Sequence, residues 1–182
     1  MARFSVGNAF HFFKGRTFYG PLRGWQGKPL HPPLTDIPVG AYVIAPILDV
    51  AAFVGKHATW SHEVYRAAGL TLLLGAIFSV ATALTGLADW MKTRPGSSVR
   101  KMANLHMLTM VTVTVLVVVD LALRFPGGMR RPSVGSLILA LAIIGLTFAG
   151  GELGGSLVYD RGMRVYVDEE KPVTQQPATP AS

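Results

Sequence analysis

His31 and His106 are the residues of this 182-residue chain best suited to chemistry. Neutral imidazoles from two separate elements can bind a haem iron axially. With a carboxylate, they can hold iron, copper or zinc. Their spacing is not that of two histidines on adjacent helical turns. His31 also precedes Pro32-Pro33, so its ring could equally cap the polar end of a neighbouring helix. Asp36, Asp89, Glu152 and Tyr159 are the polar side chains expected near the pair, with Asp36 or Glu152 as orienting partners. For Asp89 and Trp90 the plainer reading is a helix end at the water interface, where tryptophan is favoured. The chain has no cysteine, which excludes disulfides, thiolate catalysis, iron–sulfur ligation and covalent c-type haem attachment. No serine–histidine–acid grouping with a nucleophile elbow and no carboxylate pair within one motif is present, so hydrolase chemistry has no foothold and enzyme activity by the chain alone is not expected.

Asp49 and Asp120 are intramembrane acids if the apolar segments around them cross a bilayer, and such acids relay protons or bind cations. Arg124 follows Asp120 by four residues, the spacing of a helical ion pair able to snorkel outward, and that reading is preferred. Asp49 has no such local partner; Lys56 or Arg124 is the nearest candidate. His57, His62 and Glu63 are spaced loosely for a metal site and read as solvated loop residues. Gly150 with Gly154, and Gly151 with Gly155, give small-xxx-small spacings that let helix backbones approach. They do not form a phosphate loop, lacking its lysine and hydroxyl.

The elements that must position these groups follow from composition. Half of the residues are hydrophobic and only 15% are charged, whereas a soluble domain carries about a quarter charged residues. A crossing needs about 20 mainly apolar residues. Four stretches qualify: Ile37 to Gly55, Ala67 to Trp90, Ala103 to Leu123 and Ser133 to Gly151. The first is expected to begin after the prolines, capped by Thr35 or Asp36, and to kink at Pro46. The third is rich in valine and threonine, but a lone strand in lipid leaves its backbone unpaired, so a helix is expected. The turn over Phe125 to Pro132 makes the last two helices antiparallel neighbours. The fold class is therefore all-α, an integral membrane four-helix bundle with up-down topology, over 31–167. Residues 1–30 form a basic, aromatic segment suited to the anionic inner surface or to a basic tail, without the pattern of a cleaved signal. Residues 168–182 have the composition of a disordered tail.

Twelve of the 17 lysines and arginines fall on the side holding both termini and the loop between helices two and three. Basic loops stay inside, so both termini are expected in the cytoplasm. His31, Asp36, Asp89, His106, Glu152 and Tyr159 then converge at the cytoplasmic end, while Asp49 and Asp120 lie about 18–21 Å beyond it by helix rise. The net charge of +7 follows the inside rule and gives no ground for nucleic-acid binding.

The run from Pro29 through His31-Pro32-Pro33-Leu34-Thr35-Asp36 to Gly40, the segment Thr85-Gly86-Leu87-Ala88-Asp89-Trp90, His106, and Gly154-Gly155-Ser156-Leu157-Val158-Tyr159 resemble the bacterial membrane family called domain of unknown function 2231, over about Lys28 to Val167. The resemblance implies a bacterial cytoplasmic membrane protein. Family members often carry a further histidine in the opening motif and another near the last; here Asp36 and Arg161 stand in those places, which leaves a two-histidine site. Relatives fused to Rieske-type or cytochrome-like domains suggest electron transfer, which here needs bound haem or a transition metal and a redox or other membrane partner. Three readings stay open: a haem- or metal-binding redox subunit; a non-enzymatic scaffold or accessory subunit docking a partner or a second copy of itself; and a small proton- or ion-coupled transporter using Pro46, Asp49 and Asp120.

Overall fold

The computed structural model describes residues 28–165 together with Leu22 and Gly24; the rest of the basic segment at 1–30 and the tail at 168–182 lie outside the described residues. Four long helices follow one another: α1 (His31–Val54), α2 (Ser61–Trp90), α3 (Ser98–Arg124) and α4 (Val134–Tyr159). All four are long and apolar enough to cross a membrane.

Helix α1 starts at His31, earlier than the prolines suggested, with Pro32 and Pro33 inside its first turn. The first four amides of a helix have no intrahelical acceptor, so a proline there sacrifices nothing. Neither Thr35 nor Asp36 caps the helix. Thr35 instead donates its hydroxyl to the Pro32 carbonyl at 2.6 Å, and Asp36 is exposed. The helix continues through Pro38 and Pro46, both buried among neighbouring helices, where a freed carbonyl is tolerated.

Local signals set the remaining ends. Ser61 opens α2 and donates to the Ala52 carbonyl at 2.8 Å, closing a short connection in which the Trp60 ring lies against Gly55 and leaves no room for a Cβ. Ser97 caps α3 by accepting from the Arg100 amide at 3.1 Å. A single 3-10 turn over Phe125–Gly127 ends that helix, and Gly128 and Met129 take left-handed conformations with φ of 61° and 55°. Ser133 and Ser136 form a reciprocal capping box at the start of α4. That helix extends to Tyr159, so the glycines at 150–155 lie within it and do not follow it.

Helix α1 packs against α2 and α4, and α3 against α4 and α2, so α1 and α3 face each other across the bundle diagonal. The interior is built from small and medium side chains, including Ala41, Ala45, Leu72, Val113, Val117 and Ile143, around Tyr42. Larger aliphatics such as Ile44, Leu74, Leu108, Val115 and Ile138 point outward, as lipid-facing residues do. Gly75 takes Ala41 and Tyr42 against its backbone, and the Tyr42 hydroxyl shares a hydrogen bond with Ser79 at 2.7 Å. In the valine-rich part of α3, Thr109, Thr112 and Thr114 return their hydroxyls to carbonyls four residues earlier, which satisfies them without water.

Candidate functional site: a histidine pair and a buried ion triad

At one end of the bundle, His31 and His106 meet across the diagonal with ring centroids 6.3 Å apart and ring planes at 84°. His31 places Nδ1 at 3.0 Å from the Thr82 carbonyl of α2, and His106 places Nδ1 at 2.9 Å from the Gly150 carbonyl of α4. A carbonyl only accepts, so each Nδ1 carries the hydrogen and donates it. In the neutral imidazole this leaves the lone pair on Nε2, the tautomer suited to a metal.

Glycines give the rings their space. A Cβ on Gly86 would come within 2.7 Å of His31 Cε1, and one on Gly154 within 3.1 Å of His106 Cε1. Thr82 and Thr85 secure the α2 side. Thr82 donates to the Leu34 carbonyl at 3.1 Å, tying α2 to the first turn of α1, and Thr85 donates to the Thr82 carbonyl at 2.9 Å beside His31.

The surrounding polar groups are not drawn in equally. Asp89 is buried, with Oδ1 at 3.3 Å from Arg164 Nε. Asp36 and Glu152 are exposed, and Tyr159 is 88% exposed. The orienting role expected of Asp36 or Glu152 falls instead to the carbonyls of Thr82 and Gly150, because the rings turn inward while both acids sit on outer helix faces. Arg161, in the place of a further family histidine, donates to the Ser156 carbonyl at 3.3 Å. Trp90 donates its indole N–H to Asn104 at 2.6 Å, and the Arg100 guanidinium lies 3.4 Å over its ring. No group of three or more histidine, cysteine or acidic side chains able to hold a metal exists among the described residues.

The opposite end holds a second buried cluster. Arg124 does not snorkel outward; it is 3% exposed and turns into the bundle. Its Nε and Nη2 donate to Asp120 Oδ2 at 2.9 and 2.6 Å, and its Nη1 and Nη2 donate to the two Asp49 oxygens at 2.8 and 2.5 Å. Nη1 also reaches the Tyr65 carbonyl at 3.4 Å, and the guanidinium lies 4.3 Å over the Tyr65 ring. All five guanidinium hydrogens thus have acceptors, which explains why an outward rotamer loses. Asp49, from α1, pairs with Arg124 rather than Lys56, the two candidates its sequence offered. The Tyr65 hydroxyl donates to Ser136 of α4 at 3.0 Å, so all four helices join this cluster. His62 and Glu63 form an exposed contact at 2.9 Å near the same end.

The fold and its two buried clusters define a polytopic four-helix membrane protein. The chain belongs to the family described as predicted membrane protein DUF2231, whose model matches residues 27–167. No curated protein and no solved structure matches it.

Proposed function

We propose that the protein is a membrane redox subunit in which His31 and His106 offer their Nε2 atoms to one metal centre. The observation that carries this reading is the matched tautomer of the two rings at 6.3 Å. His31 and His106 would hold one metal through Nε2, since metal–nitrogen bonds of about 2.0–2.1 Å suit rings at this separation. A set of only two protein ligands favours haem over a bare ion, because a porphyrin brings four nitrogens of its own. His31 and His106 would hold the haem, which when bound would supply one-electron chemistry. The distribution of basic residues supports a cytoplasmic position for the histidine end, in a bacterial cytoplasmic membrane.

Purification from haem-supplemented cells, with an absorption spectrum and elemental analysis, tests the reading. A Soret band that weakens in both His31→Ala and His106→Ala is expected for haem, and stoichiometric copper, iron or zinc without that band for a bare ion. Protein free of both, yet folded, overturns it.

A further inference from the structure

The triad at the far end has an imbalance that its hydrogen bonds make specific. Asp49, Asp120 and Arg124 bring two formal negative charges and one positive charge into the bundle. Asp49 accepts with both oxygens from the guanidinium fork, and Asp120 accepts twice with Oδ2. Asp120 Oδ1 is buried and has no hydrogen-bond partner. With both acids ionised, the cluster would hold an uncompensated charge, part of it on an oxygen that nothing solvates.

One proton removes both difficulties. On Asp120 Oδ1 it makes the cluster neutral and leaves every bond to Oδ2 intact. Asp49 is the poorer host, since both of its oxygens already accept from the guanidinium fork and protonating either weakens one of those bonds. The groups facing the site offer no competing charge. Asp49 comes from α1 and Arg124 from α3 itself. Tyr65 comes from α2 with its hydroxyl committed to Ser136 of α4, and among the described residues Arg124 is the one cation within ion-pair distance of either acid.

An open basin lies beside it. A basin of about 660 Å³, lined by His62, Arg66, Gly128, Met129, Arg130 and Arg131, opens at this end of the bundle. Its one buried wall residue, Met129, lays its thioether against Gly69 next to the Arg124 stem and donates its amide to the Arg124 carbonyl at 3.1 Å.

We propose that the Asp49–Arg124–Asp120 triad is a proton-binding site, with one proton resident on Asp120 Oδ1 and Met129 separating it from the aqueous basin. Infrared spectroscopy of the full chain in lipid nanodiscs at neutral pH tests this. The expected result is the carbonyl stretch of one protonated carboxylic acid, shifted by deuterium oxide and by ¹³C-carboxyl labelling of aspartate. The band disappears in Asp120→Asn and stays in Asp89→Asn. It also disappears in Asp49→Asn, where the remaining ionised acid balances Arg124. Deuterium enters faster in Met129→Ala. A wild-type spectrum without the band, or a band indifferent to aspartate labelling, overturns the proposal whether or not the variants fold. So does a band that survives Asp120→Asn or Asp49→Asn, and unchanged exchange in Met129→Ala removes the assigned route.

Discussion

His31 and His106 belong to helices on opposite corners of the bundle, yet their rings lie 6.3 Å apart, each fixed by a carbonyl of a different third helix. His31 is thereby bound to α2 and His106 to α4, so the distance between the rings reports how the α1–α2 pair docks on the α3–α4 pair. Asp49 and Arg124 repeat that diagonal link at the other end. The two clusters fasten the two ends of the bundle.

The glycines beneath the rings supply the first prediction. Gly86→Ala drives a methyl into His31 at 2.7 Å, and Gly154→Ala meets His106 at 3.1 Å. Displacing His31 breaks its bond to Thr82, and overpacking of this kind costs about 1–3 kcal/mol. Thermal unfolding in detergent should show Gly86→Ala as the more damaging change. Equal or reversed effects would mean that the rings do not rest on these glycines.

Removing the cation from the triad should cost more than removing either acid. Arg124→Gln leaves two buried carboxyls without their partner, a loss of about 3–5 kcal/mol. Asp120→Asn keeps a neutral side chain of the same shape and should stay close to wild type, with Asp49→Asn between them. Denaturant or thermal melts of the three variants give the order directly, and an Arg124→Gln protein as stable as Asp120→Asn contradicts it.

Beyond α4, the chain is held to the end of α2 by the Arg164–Asp89 contact. Asp89→Asn weakens that attachment, so trypsin should cut after Arg161 and Arg164 sooner than in wild type, while cleavage after exposed Arg130 and Arg131 keeps its rate. Uniform acceleration at all four sites would point instead to general unfolding.

A metal held by two Nε2 atoms competes with protons for the same lone pairs, so affinity falls as pH drops and the imidazoles charge. Acid titration of the loaded protein should release the centre in step with loss of its absorption. The exposed His62 should not matter, and His62→Ala should leave the release curve unchanged.

Much of this arrangement was legible in the chain itself. Four apolar segments dictate four helices, and alternate crossings bring His31 and His106 to one level. Pro32 and Pro33 read as helix breakers, yet proline is harmless in a first turn and α1 begins at His31. Glycine-rich sequence at the end of α4 reads as a stop in water, whereas in the bundle the helix runs on to Tyr159 and Gly154 makes room for His106. Arg124 with Asp120 was visible as an i,i+4 pair, but the inward rotamer was not. It depends on Asp49 arriving from a diagonal helix and on Tyr65 supplying a ring and a carbonyl, relations that no local spacing encodes. The contact of Arg164 with Asp89 was likewise hidden, since only the fold returns that segment to the end of α2.

Whether the histidine pair holds a metal centre is decided by titrating haem into purified cofactor-free protein. Saturable binding of one haem per chain with the spectrum of a two-histidine iron is expected, weakened at least tenfold in His31→Ala and in His106→Ala, a loss of at least about 1.4 kcal/mol each. Equal haem binding by wild type and both variants, or no binding by any of them together with no metal retained in the native preparation, would contradict it.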